Sequence, residues 1–201
     1  MGQSKTKVSI IVCGLDNSGK STILNHFKPD KEKSETINAT LGYTTEQLTL
    51  KYTPLKQAGG DQPKARTVEC TAFDMGGAKK FRTLWESYYN GVDGVVFVVD
   101  SADALRMSVV KDEIQQMLEN ADLSSGDAAG VPVLFFANKM DIQNAKNPAE
   151  LTEILELADI IVDRPYNIFA SDARKGVGLE EGMQWLQSEM LKRADKAKAK
   201  K

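Results

Sequence analysis

Gly14-Leu15-Asp16-Asn17-Ser18-Gly19-Lys20-Ser21 is the stretch on which the fold turns. It fits G-x-x-x-x-G-K-[ST], a loop whose backbone N–H groups surround a phosphate. An apolar run of strand type, Val8 to Val12, precedes it, and Thr22 to Phe27 reads as a short helix that Pro29 ends. The bland alternative, a Gly-rich turn ahead of a helix, leaves that strand–loop–helix order unexplained. Asp16, Asn17, Ser18, Gly19, Lys20, Ser21 and Thr22 are the candidate phosphate-side contacts. The helix N-terminus favours an anion, Lys20 reaches the β- and γ-phosphates, and the Ser21 hydroxyl suits Mg²⁺.

Outward from this loop, strand-type runs alternate with helical patterns, the mark of a parallel α/β sheet. Val92–Asp100 (VDGVVFVVD) and Val131–Ala137 (VPVLFFA) read as buried strands, and Tyr166–Ala170 as a shorter one. Helical spacing puts Val110, Ile114, Met117 and Leu118 on one face, and Leu179, Met183, Leu186 and Met190 on another. Such stripes are core before they are binding surface. Pro148–Leu157 reads as a helix with Pro near its start. Thr44–Lys51 and Arg66–Phe73 break the alternation as an antiparallel pair joined by the long polar link 52–64, expected to be an exposed tip. The expectation is one doubly wound α/β domain over residues 8–191 with a mainly parallel six-stranded sheet and helices on both faces. A short segment (1–7) and a basic tail (192–201) flank it.

Composition narrows the function classes. The chain has 201 residues and a formal net charge of −2. Its last ten residues hold six basic side chains and one acidic one, so the rest is acidic, which argues against a nucleic-acid binder. The tail is either a solvated helix end or a contact for anionic lipid. No apolar run reaches the roughly 18 residues of a membrane span, and the N-terminus lacks a signal-peptide core. Cys13 and Cys70 sit in strand-like runs, as reduced core residues of a cytoplasmic protein would.

Which nucleotide is bound is answered further along. Asn138-Lys139-Met140-Asp141 follows a buried strand directly. The Asp141 carboxylate suits the paired N–H donors of guanine, which adenine lacks. Asn138 would tie this loop to the phosphate loop, and the Lys139 stem would cover the base. Phe169-Ala170-Ser171-Asp172 ends the next strand, where the Ala170 N–H, beside Ser171, is expected to meet the guanine O6. Asp74-Met75-Gly76-Gly77 fits D-x-x-G: Asp74 would hold Mg²⁺ through water, and the Gly77 N–H would approach the γ-phosphate. Thr40 is the candidate second Mg²⁺ ligand. Segments that touch γ-phosphate and metal together order with GTP and relax with GDP.

GLDNSGKST, the loop Thr40-Leu41-Gly42-Tyr43 and FDMGG followed by Arg82-Thr83-Leu84-Trp85-Glu86-Ser87-Tyr88-Tyr89 together resemble the Arf/Arl branch of small GTPases. FFANKMD, ASDARKG and EGMQWLQ are similar to a ciliary subgroup of that branch, whose GTP form recruits the BBSome coat. The resemblance covers nearly the whole chain and implies a GTP/GDP switch with Mg²⁺. It also implies an exchange factor, an activating protein and a GTP-state effector that meets Tyr43, Phe73 and Tyr88; the alternative for Tyr88 is ordinary core. Two departures bear on mechanism. The family's water-orienting glutamine is Ala78, so hydrolysis is expected to be slow, and the proline before Thr40 is Ala39. A GTP-binding scaffold that hardly turns over, and a P-loop phosphotransferase, are the alternatives; the latter does not account for Asn138, Lys139 and Asp141. Gly2 with Thr6 fits M-G-x-x-x-[ST], the N-myristoylation pattern, which would put the protein peripherally on a membrane, of the cilium or elsewhere.

Overall fold

The computed structural model describes residues 6–53, 65–124 and 130–199. Gly2 and the 54–64 part of the predicted hairpin tip lie outside them. In chain order the elements are β1 (Thr6–Cys13), α1 (Lys20–Phe27), β2 (Tyr43–Tyr52), β3 (Arg66–Met75), α2 (Lys79–Arg82), β4 (Gly94–Asp100), α3 (Met107–Glu119), α4 (Ala121–Ser124), β5 (Val133–Asn138), α5 (Pro148–Ile154), α6 (Leu157–Ile160), β6 (Tyr166–Ala170) and α7 (Leu179–Ala199). Short 3₁₀ turns cover Asp30–Glu32, Trp85–Tyr88 and Ala104–Arg106.

The strands form one six-stranded sheet in the order β2-β3-β1-β4-β5-β6. Only β2 runs antiparallel, against β3, in a register from Tyr43 opposite Met75 to Tyr52 opposite Arg66. The expected doubly wound, mainly parallel sheet is therefore the observed one. From β1 the chain crosses to the edge strand β2, turns back into β3 beside β1, then passes to the other side of β1 to lay down β4, β5 and β6. Such a reversal opens a crevice beyond the strand C-termini, where α/β sheets bind ligands.

Strand alternation divides the core into two layers. Val95, Phe97 and Val99 of β4 face Val110, Ile114 and Met117 of α3, with Phe135 of β5 beside them. Val96 and Val98 face the opposite way, toward Ile23 and Leu24 of α1 and Leu179, Met183, Leu186 and Met190 of α7. Both helical stripes expected from spacing are thus core, and a strand buried on both faces explains the unbroken apolar run VVFVV. Gly94 lets α7 come close: a Cβ there would stand 2.9 Å from the Met190 sulfur.

Helix ends are set locally. Asn147 caps α5 by accepting from Ala149 and Glu150 N–H, Glu150 reaches back to the Asn147 N–H, and Pro148 occupies the first turn. This reciprocal cap fixes the start where the Asn-Pro-x-Glu pattern places it. The expected Pro148–Leu157 helix is interrupted, because Glu156 takes a left-handed backbone (φ 51°) and a new short turn begins at Leu157. At the C-terminus α7 continues through residues 192–199, so the described part of the basic tail is helical.

Candidate nucleotide site

A cavity of about 950 Å³ opens at the C-terminal ends of β1, β3 and β5. The turn after β1 builds its floor. Gly14 and Gly19 carry φ of 134° and 104°, and Asn17 is left-handed at 61°. A Cβ on Gly14 would overlap the Val98 carbonyl oxygen at 2.3 Å, so glycine is required where this loop lies against β4. Lys20 is buried at the start of α1, its ammonium held by the carbonyls of Gly14 (3.0 Å) and Leu15 (2.9 Å). Burial pulls its pKa down, while Asp74 draws it back up.

Asp74, at the end of β3, stands beside the same loop and is itself buried. Its Oδ2 accepts from the Ser21 hydroxyl at 2.5 Å and from the Thr40 hydroxyl at 3.3 Å, and those two hydroxyls are 3.0 Å apart. Its Oδ1 is buried without a hydrogen-bond partner among the described residues. Burial raises the Asp74 pKa, opposed by Ser21, Lys20 and Thr40. Two hydroxyls, one carboxylate and an unsatisfied buried oxygen make a hard-oxygen set, which fits Mg²⁺ completed by water and phosphate oxygens. Among the described residues, no group of three or more His, Cys, Asp or Glu side chains is placed to hold a metal ion.

The D-x-x-G turn is clamped from both sides. Gly76 N–H donates to the Gly42 carbonyl (2.8 Å), the Trp85 indole N–H to the Gly76 carbonyl (3.0 Å), and Arg82 Nε to the Gly77 carbonyl (2.8 Å). A Cβ on Gly77 would meet the Asp16 nitrogen at 2.3 Å, so only glycine lets the two loops touch. Gly77, Ala78, Lys80 and Phe81 form the cavity wall there.

At the opposite end lie Asn138, Lys139 and Asp141. Asn138 is buried and bonds three ways: its Nδ2 donates to the Ser18 carbonyl (2.8 Å), and its Oδ1 accepts from the Ser171 hydroxyl (3.2 Å) and Ala173 N–H (3.0 Å). The expected tie between this loop and the phosphate loop is therefore present as a geometry. Lys139 holds a left-handed backbone (φ 66°) and pairs with Asp100 at 2.6 Å.

Two expectations need correction. Ala170 does not border the cavity: it is the last residue of β6, paired with Ala137, and its carbonyl packs against Gly178. Asp172, Ala173 and Arg174 border it instead. The Asp172 carboxylate accepts from Arg174 and Lys175 N–H (3.0 and 3.2 Å) and so turns the chain inward at Ala173. Such an Asx turn is the signal in SDARKG that placed the contact three residues late. Ser18 and Ser171 likewise stand behind the wall, engaging Asn138, whereas Asp16, Asn17, Gly19, Ser21, Thr22 and Thr40 line the space.

A charge network around Asp16 escaped the sequence reading. Arg106 Nη1 donates to its carboxylate (3.0 Å) and Nη2 to its carbonyl (3.2 Å), while Arg82 lies 3.9 Å away and pairs with Glu113 on α3 at 2.9 Å. Outside the cavity, Tyr88 stacks between Tyr43 (4.6 Å) and Phe73 (5.3 Å). Tyr43 is exposed, and Tyr88 and Phe73 are half-buried against the core. The hydrogen bond with Tyr43 pushes the Tyr88 phenol up to about 12.

A model of the ADP-ribosylation factor family matches residues 1–190. The chain is 38% identical over 190 residues to ADP-ribosylation factor-like protein 6 of Danio rerio, covering 94% of this chain and 92% of that protein. It is 37% identical over 191 residues to the Caenorhabditis elegans protein of the same name, covering 95% and 90%. It also aligns with the structure of the Arl6 BBS3 small GTPase from Trypanosoma brucei with bound nucleotide analogue GppNp, at 48% identity and a TM-score of 0.79, covering 93% of this chain and 99% of that one.

Proposed function

The chain belongs to the ADP-ribosylation factor family of small GTPases, and from that premise we propose that it is a GTP/GDP switch whose triphosphate form recruits an effector to a membrane. One observation carries the reading: Ser21 and Thr40, both bonded to Asp74, line the same cavity as Asn138, Lys139 and Asp141, with Lys20 between them. Lys20 and the N–H groups of Asp16, Asn17, Gly19, Lys20, Ser21 and Thr22 hold the phosphates, and Asp141 reads guanine. Ala173, rather than Ala170, borders the base end of the cavity, where Asn138 Oδ1 holds its N–H. Mg²⁺ held by Ser21, Thr40 and Asp74, the last through water, would neutralise phosphate charge.

Thr40 and Gly77 come from the two segments that a γ-phosphate would order, and Gly76 N–H already bonds Gly42 between them. Tyr43, Phe73 and Tyr88 then form an effector face adjoining both segments. The BBSome coat is the effector of choice, supported by the ciliary-type motifs and by the Arl6 BBS3 relative. A myristoyl group on Gly2 supplies the membrane contact, and residues 8–191 act as the G domain. One such chain gives an association constant on the order of 10⁴ M⁻¹, so anchoring is reversible.

Ala78 favours a second shade of this reading, a switch that stays in the GTP form for long periods. A methyl group cannot orient the attacking water. Competition tests the proposal: GTP and GDP should displace a fluorescent guanine nucleotide in Mg²⁺ while ATP does not, and displacement by ATP would return the chain to the phosphotransferase class.

A further inference from the structure

Helix α1 holds the outer wall of the cavity at two points. Ser21 and Asn25 are one turn apart and so share a helix face. The Ser21 hydroxyl lies 3.0 Å from that of Thr40. One turn later, Asn25 accepts from the Ser34 N–H at 2.8 Å and donates to the Ser34 carbonyl at 3.0 Å. Between these anchors Glu35, Ile37, Asn38 and Ala39 line the cavity.

The anchors differ in chemistry. Thr40 is held among the hydroxyls and carboxylate of the metal-type site, so its position depends on what that site contains. The Asn25 amide satisfies both backbone groups of one residue and depends on no metal and no phosphate. We propose that Asn25 is a positioning residue, a nucleotide-independent anchor for residues 34–40 that sets how fast GDP leaves. The inference rests on the guanine-nucleotide reading above. With GTP both anchors hold the wall. With GDP the Thr40 anchor is weakened, and the Asn25–Ser34 pair alone keeps the free stretch down to residues 35–39.

The test is release of mant-GDP and of mant-GppNp, in Mg²⁺, from the parent, Asn25→Ala, Asn25→Asp and Lys33→Ala. Loss of two ordinary hydrogen bonds is expected to speed mant-GDP release about tenfold in Asn25→Ala, with mant-GppNp release changed less than about threefold. Lys33 pairs with Asp30 in the same segment, and Lys33→Ala should release both nucleotides as the parent does. If Asn25→Ala does not fold, Asn25→Asp is read instead. It keeps the bond from Ser34 N–H, loses the donor, and should release mant-GDP about threefold faster. Equal acceleration of both nucleotides would mean a general loosening of α1 and would overturn the anchor. So would mant-GDP release within about twofold of the parent. A parent that retains neither guanine nucleotide overturns the underlying reading, and the anchor with it.

Discussion

Replacing Asn138 with Ala removes the tie between the two ends of the cavity. Three partners lose their bonds: the Ser18 carbonyl, the Ala173 N–H and the Ser171 hydroxyl. Asn138 is 1% exposed, so water does not readily replace it. A buried polar group left unpaired costs about 1–3 kcal/mol, which for the two backbone groups comes to about 2–6 kcal/mol. At roughly 2–4 °C per kcal/mol for a domain of this size, the GDP-bound protein should melt at least about 4 °C lower. Release of mant-GDP should rise at least tenfold (about 1.4 kcal/mol), because Ser18 in the phosphate loop and Ala173 beside the base site are both aligned through this side chain. Ser171→Ala, which removes one of the three bonds of Asn138, should fall between this variant and the parent. Scanning calorimetry and stopped-flow release measure both effects. An Asn138→Ala protein that melts within about 1 °C of the parent and keeps its nucleotide as long would refute the coupling.

Asp141→Asn should weaken GTP binding and shift preference toward xanthine nucleotides, since an amide can donate where the carboxylate only accepts; unchanged GTP affinity in a competition assay would remove Asp141 from the base site. Phosphate release from the parent should be very slow, and Ala78→Gln should raise it when an activating protein is present, a step that such proteins accelerate by about 10³–10⁵-fold. Rapid release by the parent alone would mean that another residue orients the water. Gly2→Ala should shift the protein to the soluble fraction, and intact-mass spectrometry after co-expression with an N-myristoyltransferase should find the acyl group on the parent only.

Local signals made most of this architecture readable. The glycines of GLDNSGKS, the unbroken VVFVV run and the helical stripes of α3 and α7 each report on a contact that their own segment must make. The three motifs that face the cavity sit directly after strands, so the sheet's polarity was enough to bring them together. What escaped was either long-range or very short. Asp16 and Arg106 are 90 positions apart, and nothing in either segment announces the other. The turns at Lys79–Arg82 and Trp85–Tyr88 span four residues each, too few for periodicity to show. The sequence points to Ala170 because Phe169-Ala170-Ser171-Asp172 closes a strand-type run, whereas the Asp172 side chain bends the chain only after β6 is complete.

Amide hydrogen exchange on the GppNp-loaded and GDP-loaded protein tests the switch most directly. Residues 35–43 and 75–88 should exchange more slowly with GppNp, while β4 and β5 exchange alike in the two forms. Identical exchange through both segments in a protein shown to hold each nucleotide would contradict the switch and leave a static GTP-binding domain.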